Sequence, residues 1–236
     1  MTTAAVTRPK WVRIVRAIGV ACAGIVVVGS PWWGTRVLAQ FDYFHVRRVE
    51  IIGVRYAKTT ELVRSLGVDT MQSVWQDMIP LATRVARHPL VASAAVERKL
   101  PGTLIVHVVE RVPVAFVSSG GMLRPTDLTG HVLPIDPARI AIDAPVVASA
   151  DTTLLRLLDA MRREAPTLYA RVTEARRDAA GQVRLQLGLT TVRANSEVTV
   201  ARVRDILPVE ADLARNHLRA VELDLRFRDQ VIARQP

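Results

Sequence analysis

The side chains able to do chemistry are few and scattered. Histidines fall at His45, His88, His107, His131 and His217, with no pair at the i, i+4 spacing that puts two imidazoles on one helical face toward a metal. The sole cysteine, Cys22, leaves no thiol pair for a disulfide, redox exchange or a zinc set. Gly120-Gly121 is followed by neither Lys-Ser/Thr nor a helical pattern, so it makes no phosphate loop. Ser118 and Ser119 stand outside any G-x-S-x-G elbow. Asp127 and Asp136 flank His131, an arrangement that chance placement of polar residues in a loop explains without catalysis. The chain reads as one without an active site, metal, cofactor or small-molecule substrate.

Recognition chemistry is another matter. In the stretch "AVELDLRFRDQVIA", residues 220–233, Val221, Leu223, Leu225 and Phe227 alternate with Glu222, Asp224, Arg226 and Arg228. That is the period of a strand with one buried and one wet face. An unprotected strand edge is a row of free N–H and C=O groups that recruits another strand, and lysine, internal proline or a bulge are the usual protections. Residues 220–233 contain neither proline nor lysine. Two readings are open here: the strand pairs internally and Arg226 is a solvated charge, or a partner strand is added, with main-chain hydrogen bonds giving affinity and alternate side chains giving selectivity. Leu223, Leu225, Arg226, Phe227, Arg228, Asp229 and Val231 are the expected contact residues, and Arg226 and Arg228 on the wet face favour an acidic partner.

The elements that must position this strand begin with a membrane signal. The 236 residues suffice for one or two domains, half are apolar, and the mean hydropathy is +0.20. Basic residues outnumber acidic ones by 32 to 22. Arg8, Lys10, Arg13 and Arg16 form a basic tail over 1–16, and no acid precedes Asp42. Residues 17–35, "AIGVACAGIVVVGSPWWGT", carry no charge and as a helix would span roughly 28 Å, close to a bilayer's hydrocarbon thickness. Trp11 on one side and Trp32 with Trp33 on the other suit the two headgroup belts, and the basic tail predicts a cytoplasmic amino terminus. A cleaved signal peptide is the alternative, with "VLA" at 37–39 as cleavage positions. The bulky Trp pair and Arg36 before that site argue for retention. With 5% aromatic residues and no basic stripe beyond the tail, nucleic-acid binding is not indicated.

After a linker over 36–43, "FHVRRVEIIGVR" predicts a strand placing Val49, Ile51 and Gly53 on one face. Thr59 or Thr60 can cap a short helix carrying Leu62, Val63 and Leu66 and ending at Gly67. A second helix has Pro80 in its first turn and stops before Pro89. Two strands follow around Pro101-Gly102, with Val96 on the first and Leu104, Val106 and Val108 on the second. Beyond Pro113 the pattern changes to short strands, turns at Gly120-Gly121 and "DLTG", a helix carrying Leu154, Leu157, Leu158 and Met161 capped by Asp151 or Thr152, and a strand with Val183, Leu185, Leu187 and Leu189. Asn195 suits a positive φ. Val200, Val203, Ile206 and Leu207 predict a helix interrupted at Pro208.

The β-α-α-β-β order, the opening "V.RRVEIIGV", the block "HPLVASAAVERKLPGTLIVHVVERVPVAFV" and the preceding anchor together resemble the bacterial division proteins FtsQ and DivIB over residues 41–233. Arg98 to Pro101, Glu110, Arg111 and Pro113 carry the most recognisable letters, and turn and packing roles are expected of them. The resemblance implies an α+β fold: one transmembrane helix, a POTRA domain over 44–114, and over 115–236 a β domain with an extended, mainly antiparallel sheet and helices on one face. It implies a non-catalytic scaffold of the inner membrane at the division septum, with its carboxyl-terminal domains periplasmic. The terminal strands would pair with an FtsB-type protein that travels with an FtsL-type one, and the POTRA module would link to an FtsK-type upstream protein. Arg226 and Phe227 match the Arg and aromatic of the family's "DLRY", here "DLRF", so the tyrosine hydroxyl is missing. "VIARQP" lacks the aromatic that some members carry near the carboxyl end, which implies a different hydrophobic anchor. The alternative function is a POTRA-containing component of protein translocation or outer-membrane assembly, which would call for tandem modules or a barrel.

Overall fold

The computed structural model describes residues 18–20, 24, 38–69, 71–136 and 140–236. The basic tail over 1–16, Cys22, Trp11, Trp32 and Trp33 lie outside the described residues. So does the expected anchor over 17–35, apart from Ile18, Gly19, Val20 and Gly24, which are helical and exposed. Among the described residues no helix is long and apolar enough to cross a membrane. Contacts divide the chain into two units, one running to Val54 and taking in Lys58–His88 and Ser93–Val109, the other taking in Arg55–Ala57, Pro89–Ala92 and Glu110–Pro236.

The first unit follows the expected order: β1 (Arg48–Ile52), α1 (Thr59–Leu66), α2 (Met78–Ala86), β2 (Val91–Lys99) and β3 (Thr103–Glu110). β3 lies between β1 and β2, and β1 runs parallel to it with Val49 opposite Leu104 and Ile51 opposite Val106. The alternation of Leu104, Val106 and Val108 gives β3 a fully buried face. Each helix buries a pair spaced i, i+4, Leu62 and Leu66 on α1, Leu81 and Val85 on α2. The residue before α1 is Lys58, which offers no side-chain cap, so Thr59 and Thr60 lie inside the first turn and do not cap it. α1 ends at Gly67 with φ 61°, and α2 is capped by Asp77, whose carboxylate accepts from Ile79 N at 3.0 Å. β1 stops at Gly53, with φ 91°, because a Cβ there would meet the Val108 carbonyl at 2.1 Å.

The second unit holds an eight-stranded sheet. Its strands are β4 (Ala115–Ser119), β5 (Met122–Thr126), β6 (Val146–Val147), β7 (Val172–Arg177), β8 (Val183–Leu187), β9 (Thr190–Ala194), β10 (Glu222–Asp224) and β11 (Ile232–Arg234). They lie in the order β11-β10-β9-β8-β7-β6-β4-β5. The sheet is more mixed than the sequence suggests, since β4 with β6, β6 with β7, and β9 with β10 run parallel. Asp151 caps α3 (Thr152–Glu164), accepting from Thr153 N and Leu154 N, and Pro166 ends it by opening the single turn α4 (Pro166–Tyr169). The expected helix from Val200 breaks at Asp205, so α5 is Val200–Arg204 and α6 is Ile206–Arg215, with Pro208 tolerated in the first turn of α6. Leu154, Leu155, Leu158 and Met161 from α3 and Val200 and Val203 from α5 share one core with Ala175, Leu185, Val192 and Leu223 from the strands. Leu189 is the exception to the β8 pattern, lying in the hairpin turn after Gly188 and 90% exposed.

Candidate protein-docking edge

The predicted strand over 220–233 is two strands and a crossing. β10 keeps only Glu222–Asp224, residues 226–231 leave the sheet after Leu225 makes a last bond to Arg193 O, and β11 returns antiparallel to β10 with Leu223 opposite Ala233. β10 is therefore paired on both sides, and the sheet ends at β11. Three residues account for the interruption. Arg202 on α5 donates to the carbonyls of Leu225, Phe227 and Gln230, drawing the crossing toward the helix, and is itself paired with Asp205 at 2.6 Å. Asn195 contributes through its amide, which donates to Arg226 O at 3.0 Å. Its φ is not positive; among the described non-glycine residues His217 alone has that geometry, at 57°. Arg226 grips Asp224 through Nε at 2.9 and 3.0 Å and through Nη2 at 2.6 Å.

That bidentate contact holds the Asp224 carboxyl below the ordinary carboxylate range against the opposing effect of burial, and raises Arg226 in return. The expected contact residues consequently separate. Leu223 and Leu225 are in the core at 0% and 3% exposure. Arg226 is half-buried over Asp224, Phe227, Arg228 and Asp229 are exposed on the crossing, and Val231 is half-buried just ahead of β11.

Hydrogen bonds already made fix which backbone groups of β11 remain free. Thr191 N donates to Val221 O and Leu225 N to Arg193 O, so Leu223 between them faces β9 and Glu222 and Asp224 face β11, while Val221 N donates to Arg234 O at 2.9 Å. Their partners are Arg234 and Ile232, which leaves the N–H and C=O of Ala233 turned outward. Neither proline nor lysine occurs in β11.

Three surfaces adjoin this edge. One is a hollow of about 320 Å³ walled by Leu189, Leu213, Leu218, Val221, Leu223 and Pro236, and Leu218 and Val221 are 42% and 41% exposed. A second, of about 660 Å³, lies beside the crossing and is lined by Asn195, Thr199, Arg202, Arg226 and Arg228 together with Glu197. The third is the wet face of the sheet, where Arg176 stands opposite Arg184, Arg184 opposite Arg193, and Arg193 opposite Asp224. Like charges facing across a ladder repel. Asp178 relieves Arg184 at 3.6 Å and Glu222 relieves Arg193 at 3.6 Å, while Nε of both arginines is buried without a partner. The row suits acidic side chains.

The landmark letters further back are structural. Glu110 accepts from the backbone N–H of Arg55, Tyr56 and Ala57, each at 2.8 Å. Arg111 meets the buried Asp127 at 2.8 Å, and Asp127 also accepts from Thr129 N, Thr129 Oγ1 and His131 N. Asp127 is thus the organiser of the "DLTG" turn, a role its sequence neighbours do not reveal. Among the described residues no three His, Cys, Asp or Glu side chains gather as a metal would require.

Comparison with known proteins agrees with this architecture. The family described as POTRA domain, FtsQ-type, matches residues 44–111. The chain is similar to "Cell division protein FtsQ" of Rhodothermus marinus, 29% identical over 94% of this chain and 87% of that protein. It is also similar to FtsQ of Anaeromyxobacter sp. strain K, 30% identical over 59% of this chain, and to "Cell division protein DivIB" of Geobacillus kaustophilus, 29% identical over 43%. It spans 49% and 40% of the length of those last two.

Proposed function

Because this chain belongs to the FtsQ/DivIB family of bacterial cell division proteins, we propose that it is a non-catalytic scaffold of the division machinery that takes up a partner strand along β11. The organisation that goes with this reading is a cytoplasmic tail over 1–16, an inner-membrane anchor over 17–35, a linker over 36–43, a POTRA domain over 44–114 and a periplasmic β domain over 115–236. The partner is an FtsB-type protein accompanied by an FtsL-type one, and the POTRA domain serves an FtsK-type upstream protein. Confinement to one membrane makes individually weak contacts effective.

The observation that carries the reading is the outward amide and carbonyl of Ala233 at the open end of the sheet. The chemistry around it favours the same occupant. An acidic partner would lie over Arg176, Arg184, Arg193 and Arg226, and an apolar side chain from it would enter the hollow beside Leu218 and Val221. That hollow answers the missing terminal aromatic with a site for the partner's side chain in place of the scaffold's own. Leu223 and Leu225 contribute from beneath, as the packed layer on which β10 and β11 rest.

Ala233→Pro tests it. The substitution removes an N–H that β10 does not use, so the fold is kept while the docking donor is lost. Binding of the full chain to the periplasmic segment of an FtsB-type protein should weaken about tenfold or more, one hydrogen bond plus the steric cost of the ring. Unchanged affinity in a folded variant would overturn the strand-addition reading.

A further inference from the structure

A second surface lies in the first unit, where β1 begins. The backbone amides of Arg47 and Arg48 donate to Gly102 O at 2.8 and 3.2 Å, pressing the start of β1 against the β2–β3 turn. A Cβ on Gly102 would meet His45 O at 2.6 Å, so the floor of this corner is bare main chain. Arg47, Arg48, Pro101, Gly102 and Thr103 enclose a hollow of about 270 Å³ there. Arg47 also donates to Asp42 O and lies 5.9 Å over the ring of Tyr43, which ties the turn Asp42–Phe44 to the same corner. Lys99, exposed, is the last residue of β2 and stands two positions before Pro101. The side chain of Arg48 is 73% exposed and 3.9 Å from Glu50, Phe41 and Tyr43 are 56% and 60% exposed, and Asp42 beside them is an exposed acid.

Exposed aromatic rings beside clustered cations are the composition of a surface that meets lipid headgroups. Position makes that meeting geometrically available. The uncharged run of the sequence ends at Thr35, and the six residues from there to Phe41 reach roughly 20 Å even when fully extended. We propose that this corner, built from Phe41, Tyr43, Arg47, Arg48 and Lys99, docks on a bilayer surface rich in anionic phospholipid, with Arg47 and Arg48 flanking a headgroup phosphate in the hollow. The inference rests on the membrane-anchored reading above, because the anchor supplies the tether. It gives the first unit a preferred attitude to the membrane that would depend on lipid composition.

The test uses the full chain in vesicles, carrying a fluorophore on Leu100→Cys in a Cys22→Ala background and quenched by spin-labelled headgroups. Quenching should be several-fold stronger in phosphatidylglycerol-containing vesicles than in pure phosphatidylcholine. It should drop to the phosphatidylcholine level in high salt and in Arg48→Glu/Lys99→Glu. Arg48→Gln/Lys99→Gln, which introduces no new repulsion, should fall between them, and thermal unfolding shows that both variants keep the fold. Equal quenching in the two lipids, or quenching that charge reversal leaves unchanged, overturns the proposal. Flotation with pure phosphatidylcholine vesicles reads the anchor alone. A chain that floats without composition-dependent quenching refutes only the headgroup site, whereas one that fails to float refutes the anchor and the tether with it.

Discussion

The two borders of the eight-stranded sheet are treated in opposite ways. At β5 the outward-facing position opposite Phe116 is Pro125, which has no N–H, and its carbonyl already accepts from Leu133 N at 2.8 Å. A bridge between Thr126 and Val132 extends the cover. At β11 the outward position is Ala233, with both backbone groups free of β10. One border is closed by proline and by the chain's own returning loop, and the other is a strand of three residues with neither proline nor lysine. Both borders are exposed, and what separates them is whether the outward backbone groups are already taken.

Breaking the guard should have the largest effect. Asp127 holds the turn that delivers residues 131–133 to β5, and its removal leaves Arg111 half-buried without its carboxylate. Asp127→Ala is expected to cost about 3 kcal/mol or more in chemical unfolding and to make the protein prone to self-association through the uncovered β5. An Asp127→Ala variant that is as stable and monomeric as the parent would remove Asp127 from the closure.

Next comes the pin on the open side. Arg202→Ala frees three carbonyls of the crossing, with an expected loss of about 1–3 kcal/mol and weaker partner binding. Arg202→Lys should restore only part, since an ammonium cannot fork between Phe227 O and Gln230 O. Pro125→Ala restores an N–H at the opposite border. Affinity for the FtsB-type segment should not change, in contrast to Ala233→Pro, because Leu133 still covers that border.

The smallest effects are electrostatic. Asp127 is depressed below the ordinary carboxylate value although burial opposes it, because Thr129, Arg111 and the His131 amide bond its charged form. Asp224 is depressed chiefly by Arg226. A depressed folded-state value means stability that is complete above the ordinary carboxylate range and is lost as pH falls through the folded values, so melting temperature should drop below about pH 4. Asp224→Asn should flatten that drop when melting is followed across acidic pH. At the other extreme, burial raises the Tyr169 phenol to about 12, and its hydroxyl donates to Val114 O at 3.0 Å. Stability from this group is full below about pH 10 and declines as pH rises toward 12, a decline that Tyr169→Phe should abolish.

Much of the fold was legible because it is written at short range. Alternation marked β3 and β8, the i, i+4 pairs marked α1 and α3, and Gly67, Asp151 and Pro166 marked ends where cap and proline geometry are local matters. The course of residues 220–233 was legible only in part. The run from Val221 to Phe227 keeps the strand period throughout, yet the strand stops at Asp224, because the forces that pull residues 226–230 away come from Arg202 and Asn195, some twenty to thirty residues distant. No local pattern announces such a pin. The same holds for Asp127, whose partner Arg111 lies across a strand pair, and for Glu110, whose three amide donors come from more than fifty residues earlier. Leu189 continues the β8 alternation by letter and falls in a turn because Gly188, with φ 60°, reverses the chain before it.

The Glu110 contact also bears on how such a protein can be remodelled by recombination. Its carboxylate accepts from amides at residues 55–57, a short stretch that belongs with the second unit although the chain on either side of it belongs with the first. A single crossover between the units would part this acceptor from its donors, stranding three amides in any chimera whose incoming half lacks a matching acid. Position 110 therefore has to stay acidic in any recombinant that keeps the turn at residues 55–57.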